Sequence, residues 1–338
     1  MPDLLEFTSR GIYCSAGDFY IDPWKPVERA VITHAHSDHA RPGMQHYLAH
    51  PSSEPILRLR LGGQISVQAM DYNQPLHLNG VKVSFHPSGH LPGAAQVRVE
   101  HKGEIWVASG DYKVENDGLS QPFEPVRCHS FISECTFGLP VFNWEKQEKI
   151  FKDLNAWWQS NAEKDICSVV FAYALGKAQR IFSGLNNENG PVFMHTAVYN
   201  THEALRNSGL PLLPGRRWDE AVSRQDYRRA LILATPSSFG SPWLKHFGTH
   251  KTAICSGWMA IRGYRRRSNP DRAFVLSDHA DWPGLLQSVK ATGAERIIAT
   301  HGYTAAFSKY LQEAGFRAEE VKTHFAGERL QENEIQGS

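Results

Sequence analysis

Apolar residues in the first third of the chain come in short runs broken by Gly, Pro, Asn and Asp, the pattern of half-buried strands joined by turns. The clearest are AVIT at 30–33, VKVSF at 81–85, and QVRVE at 96–100 with EIWVASG at 104–110, which flank a turn at 101–103. From about Glu145 the period changes. EKQEKIFKDLNAWWQSNAEK, 145–164, repeats its apolar positions every three to four residues, as an amphipathic helix does. Apolar segments follow at 168–174 (SVVFAYA), 191–198 (PVFMHTAV), 230–236 (ALILATP) and 252–257 (TAICSG), alternating with helix-like or mixed stretches, which predicts a parallel α/β unit. A basic run from Arg216 to Arg229, interleaved with Asp219, Glu220 and Asp226, reads as a helix surface with i,i+4 ion pairs. After an Arg-rich stretch, the strand-like pieces AFVLSD and RIIATHG each precede a helical pattern, so the first layer type resumes. The simplest organisation is one domain in two parts, 1–140 and 261–328, interrupted by an insert at 141–260. The polar residues 329–338 are expected to form a frayed tail.

Composition narrows the class. With 338 residues, 41% of them apolar, the chain can bury one large core or two, and disorder is excluded. Thirty-six Lys and Arg against 35 Asp and Glu leave a net charge of +1, so a polyanion must be held by a local basic patch. The longest apolar run, 169–175, is far short of the ~20 residues that cross a bilayer, and the amino end lacks the apolar core of a signal peptide. A cytoplasmic protein without a membrane partner is expected. Five cysteines without a CxxC pair fit reduced core thiols.

The chemistry lies in the 17 histidines. Thr33-His34-Ala35-His36-Ser37-Asp38-His39 follows a strand, so His34 and His36 share one side of the backbone, with Asp38 and His39 on the turn beyond. Imidazole and carboxylate without thiolate suit Zn, Mn or Fe and point to a catalytic rather than a structural ion. His90, in the Gly- and Pro-rich loop HPSGHLPGAA, and Asp111, after EIWVASG, are the further ligands expected at strand ends facing the same way.

HxHxDH, then a lone loop His, then an Asp after a strand, resembles the metallo-β-lactamase fold, an αββα sandwich. Asp22, in DFYIDPW, resembles the family's early Asp behind the ligands. The resemblance implies that His34, His36 and His90 hold one divalent ion, that Asp38 and His39 hold a second, and that Asp111 bridges them. Two cations about 3.5 to 4 Å apart supply a nucleophile at neutral pH and clamp both oxygens of an in-line displacement at phosphorus.

Ligands alone do not name the substrate, because hydrolases of this fold act on lactams, thioesters, lactones and phosphodiesters. The inserted α/β unit, followed by Leu276-Ser277-Asp278-His279-Ala280-Asp281 and Ala299-Thr300-His301-Gly302, resembles the β-CASP nucleases, whose α/β cap interrupts the lactamase fold. In that pattern Glu134, in FISECTFG, His279 and His301 match the three cap motifs. A carboxylate beside an imidazole keeps it protonated and aimed, so Glu134 and His279 are the expected proton donor pair, and His301 completes the second ion's ligands. Trp258, Arg262, Tyr264, Arg265, Arg266 and Arg267, in SGWMAIRGYRRR, combine phosphate-binding forks with stacking faces, as expected where a single strand enters. Lys177, in LGK, is expected at another phosphate. SGWMAIRGYRRR, FVLSDHADWPGLL and THGYTAAF together resemble the bacterial ligase-associated DNA exonucleases. This implies a DNA exonuclease with two divalent ions (Zn or Mn, with Fe open), acting in repair on single-stranded DNA or a free end, in functional association with a DNA ligase and a helicase. Two alternatives stay open. His301 stands where RNA-acting β-CASP enzymes carry His and eukaryotic DNA-acting ones carry Val, which favours an RNA-processing ribonuclease, and relatives that have lost ligands are non-catalytic scaffolds.

Overall fold

The alternating strands of the amino-terminal part must each bury one face, and two sheets do so against each other. The computed structural model describes residues 3–324 as a mixed α/β chain with three sheets, and the tail expected at 329–338 lies outside the described residues. The chain divides into two units, one formed by residues 3–143 with 279–324 and the other by residues 144–278.

In the first unit, a six-stranded sheet runs in chain order through Glu6–Phe7, Ile12–Cys14, Phe19–Ile21, Arg29–Val31, His46–Ala49 and Val67–Ala69. A seven-stranded sheet has the order Arg317–Glu320, Arg296–Gly302, Ser130–Cys135, Glu104–Ala108, Ala95–His101, Val81–Pro87 and Pro75–Leu78. Strands from both sides of residues 144–278 therefore complete one sheet. Ile12, Phe19, Ile21 and Val31 from the smaller sheet share a core with Val83, Phe85, Val97, Val99, Trp106 and Ile132 from the larger. Full burial of each such aliphatic side chain is worth about 1.5–3 kcal/mol.

The opposite face of the seven-stranded sheet packs Val107, Phe131, Ile297 and Ala299 against Leu285 and Val289 of helix Trp282–Thr292 and Phe307 and Leu311 of helix Thr304–Glu313. Asp281 caps the first of these helices by accepting from Gly284 N at 2.9 Å, which fixes the chain two residues after His279.

In the second unit, five strands form a parallel sheet in the order Val192–Met194, Leu231–Ala234, Cys167–Phe171, His250–Cys255 and Arg272–Phe274. Helix Gln147–Ala162 buries Ile150, Leu154, Trp158 and Ala162 at four-residue spacing against one face of it. Tyr227, Leu244 and Phe247 cover the other face. Strands covered on both faces read as continuous apolar runs. All five cysteines are free and buried. Among the described residues no helix is long and apolar enough to cross a membrane.

Two readings of this unit need correction. Only Val192–Met194 of the apolar stretch 191–198 is a strand, because His195 accepts from Ala197 N and caps helix Thr196–Asn207. Residues 216–229 are not helical but run as a bridge and successive turns. Asp219 accepts from Ala221 N at 2.9 Å and Asp226 from Ser223 Oγ at 2.8 Å, so these acids hold turns instead of i,i+4 pairs.

Candidate metal centre

Strand carboxyl ends supply the centre, all of it in the first unit. Glu104–Ala108, Ser130–Cys135 and Arg296–Gly302 are adjacent and parallel, and they bring Asp111, Glu134 and His301 to one edge. Val81–Pro87 runs in the same direction two places along and ends in the loop that carries His90. In the smaller sheet the parallel strands Phe19–Ile21 and Arg29–Val31 end in Asp22 and in His34 to His39. Carboxyl ends of parallel strands are where α/β sheets place their ligands.

The loops are tied to one another. Ala95 N donates to Thr33 O, Lys113 N donates to Ser88 O, and the Arg60 guanidinium donates to Ala35 O at 2.6 Å, pinning the histidine-rich turn from helix Glu54–Leu61. Gly110, with φ of 55°, precedes Asp111 because a methyl group there would stand 2.7 Å from the Thr33 side chain. His301 and Asp22 also adopt left-handed φ, 58° and 43°, uncommon for residues with a side chain and typical of functional sites.

Asp111, buried, stands among five imidazoles. Its Oδ2 lies 3.5 Å from His34 Nε2, 3.8 Å from His90 Nε2 and 3.9 Å from His279 Nε2. Its Oδ1 lies 3.4 Å from His39 Nε2 and 3.5 Å from His301 Nδ1. These gaps exceed the roughly 2.7–2.9 Å of a charge-assisted hydrogen bond. The three shortest, to His39, His34 and His301, lie close to the about 3.3 Å expected between two ligands each about 2.05 Å from one tetrahedral ion.

Ligand atoms within 4.8 Å of one another fall into three groups among the described residues: His34, His36, His90 and Asp111; Asp38, His39 and His301; and Asp111, Glu134 and His279. His36 Nδ1 and His90 Nε2 are 3.1 Å apart. His34 Nε2 and Asp111 Oδ1 are buried with no hydrogen-bond partner among the described residues. Leaving such atoms uncompensated is costly, and a cation between them removes the cost. The residues therefore fit a divalent ion.

Hydrogen bonds behind the ligands set their tautomers. Asp22 accepts from Thr33 N at 2.8 Å and Thr33 Oγ1 at 2.5 Å, and its Oδ2 lies 2.7 Å from His39 Nδ1. A carboxylate only accepts, so His39 carries its proton on Nδ1 and turns Nε2 toward Asp111. Thr33 donates to Asp22 and so accepts from His34 Nδ1 at 3.0 Å, leaving a lone pair on His34 Nε2. Burial drives His34 well below the ordinary imidazole range, which keeps it in the neutral, ligating form. Burial would raise the Asp111 carboxyl, but His39, His301 and His279 outweigh it and hold Asp111 well below the usual range. Burial opposes charge on His39 as well, yet Asp111 and Asp38 push it well above its ordinary value. A field that holds a proton there also favours a metal cation.

Glu134 lies within the strand Ser130–Cys135. Both its oxygens are 2.9 Å from His279 Nδ1, and they also accept from Tyr112 N at 2.8 Å and Thr136 Oγ1 at 2.5 Å. With its lone pairs so engaged, Glu134 orients His279 and is poorly placed to serve as a ligand. Sequence alone gives no role to Thr33, Arg60, Tyr112 or Thr136. Their one signal was adjacency to the motifs, and Arg60 had none.

Residues expected at nucleic acid fall in the second unit, and two require correction. Lys177 is buried, with its ammonium 3.7 Å from the Asp278 carboxylate and 4.8 Å above the Tyr173 ring, an environment that answers its charge without a phosphate. Trp258 is 2% exposed and packs against Tyr264 at 5.2 Å, so its face is not offered to a base. Arg262, Arg265, Arg266 and Arg267 are exposed on helix Arg262–Ser268. Arg265 folds back onto the carbonyls of Met259 and Ala260, and Arg267 lies 4.7 Å over the Tyr264 ring.

No family profile matches the chain. It is 29% identical over 321 residues to a protein named Probable DNA ligase in Opitutus terrae, covering 94% of this chain and 31% of the ligase. It is 22% identical over 294 residues to Endoribonuclease YSH1 of Kluyveromyces lactis, covering 70% of this chain and 38% of that protein. RNase aCSPSF2 of Saccharolobus solfataricus is 24% identical over 126 residues, 36% of this chain and 25% of its own length. The chain thus spans well under half the length of each of these relatives. Two of these relatives are thus named as ribonucleases and one as a DNA ligase.

Proposed function

We propose that the chain is a two-metal DNA exonuclease, built as a metallo-β-lactamase sandwich interrupted by a β-CASP cap and working in repair beside a DNA ligase. The observation that carries this reading is the ring of imidazoles around buried Asp111, with His34, His39 and His301 at 3.4 to 3.5 Å, a spacing suited to shared ions. His34, His36 and His90 would hold one ion and Asp38, His39 and His301 the other, with Asp111 between them. Divalent ions bound there lower the pKa of water and neutralise charge at a scissile phosphate.

The chain's own residues do the rest. Asp22 and Thr33 aim His39 and His34. Glu134 holds a proton on His279 Nδ1 and turns Nε2 toward Asp111, from which it is 3.9 Å away, so the protonated ring is directed at the reacting phosphate and gives its proton to the leaving oxygen. A scaffold without catalysis is disfavoured because each expected ligand position holds a ligating residue.

Similarity over 94% of this chain to a protein named as a DNA ligase supports the DNA assignment. His301 and the endoribonuclease relatives favour a second reading, an RNA-processing nuclease. Linear end-labelled DNA, circular single-stranded DNA and RNA of the same sequence, each incubated with Mn²⁺ or Zn²⁺, separate them. Loss of linear DNA from an end with circles intact is expected. Equal cutting of circles would make the protein an endonuclease, and preference for RNA would favour the second reading, in which the 2′-hydroxyl decides.

Arg262→Gln with Arg266→Gln should weaken binding and raise KM with little change in kcat. For single strands the slope of log affinity against log salt should fall by about 1.4, or about 0.7 per lost phosphate contact. Unchanged slope in a filter-binding titration would remove this helix from the binding surface.

A further inference from the structure

Residues 216–229 and 242–247 bring together cations and aromatic rings that the sequence keeps apart. Trp218 and Trp243, both half-buried, meet edge to face with centroids 5.4 Å apart, and exposed His246 lies 5.5 Å from Trp218. His195 abuts Trp243 at 4.9 Å, and Phe247 supports both tryptophans from below. Exposed Arg216 and Arg217 directly precede Trp218 in the chain, exposed Lys245 lies between Trp243 and His246, and exposed Arg224 belongs to the same turn-rich segment. Among the described residues none of these four cations forms an ion pair, and two of the segment's three acids, Asp219 and Asp226, accept hydrogen bonds within turns. The patch lies at the sheet edge formed by Val192–Met194, where Trp218 N donates to Met194 O, and helix Arg262–Ser268 precedes the opposite edge strand, Arg272–Phe274. Four strand spacings, about 19 Å, separate the two edges.

We propose that this cluster is a further contact surface for single-stranded nucleic acid, with Trp218 and His246 as stacking faces and Arg216, Arg217, Arg224 and Lys245 on the backbone. The inference rests on the nuclease reading and extends it. Half-exposed rings rimmed by unpaired cations match a strand that offers base faces and phosphates together, whereas a duplex hides its base faces.

The test is equilibrium binding of the full-length, metal-loaded protein to a short phosphorothioate single strand that resists cleavage. Trp218→Ala should weaken binding about tenfold, and Trp218→Phe should restore it to within about threefold. Because Trp218 is partly packed, a second variant is needed. Arg216→Gln with Arg217→Gln, at exposed positions, should lower the salt slope by about 1.4. Equal binding by wild type and these variants would overturn the inference alone, as would equal affinity of wild type for single strand and duplex. Failure of the wild-type protein to bind any nucleic acid would overturn the nuclease reading with it.

Discussion

Asp111→Ala is expected to abolish metal binding and nuclease activity together. Among the described residues the carboxylate is the one group within 4 Å of His34, His39, His90, His279 and His301 at once, so its loss removes the oxygen donor standing between the ligands proposed for the two ions and leaves the imidazoles facing one another. Losing a partner behind the ligands usually lowers metal affinity or activity roughly 10- to 100-fold, and loss of a shared ligand should exceed that. Elemental analysis of the purified variant beside its cleavage rate checks this. A variant that keeps two ions per chain, or that cuts at more than about a tenth of the wild-type rate, would show that Asp111 is not shared between ions.

His279→Ala should behave differently. Glu134 places both oxygens 2.9 Å from His279 Nδ1, which suits a proton donor held by its carboxylate. Its removal should slow cleavage roughly 10²- to 10⁴-fold, the usual contribution of a general acid, while metal content stays at the wild-type level. Cleavage at the wild-type rate would remove the acid assignment. Loss of metal in parallel with activity would instead make His279 a ligand.

The cluster of candidate ligands was legible because each member follows a strand-like run, and strands that share a direction deliver their carboxyl ends to one edge. Of the smaller sheet, periodicity revealed Arg29–Val31 through AVIT but not Glu6–Phe7, Ile12–Cys14 or Phe19–Ile21, whose two or three residues are too few for an alternation to register. Sequence also carries no direction for a side chain. LGK and SGW read as surface chemistry, yet Lys177 turns to Asp278 and Trp258 packs under Tyr264. The converse holds for Trp218 and Trp243, 25 positions apart, whose pairing depends on a turn-rich segment that charge spacing alone made look helical. The supports of the centre were hidden for a related reason. A threonine beside a motif or a backbone N–H, such as Thr33 or Tyr112, has no signature until the fold points it at a carboxylate.

The most direct test is an anomalous-difference map from crystals of the metal-loaded protein. Two peaks about 3.5 to 4 Å apart are expected, one beside His34, His36 and His90, the other beside Asp38, His39 and His301, with Asp111 between them. A map from active protein with no peak among these residues, or with its ion bound elsewhere, would contradict the two-metal centre.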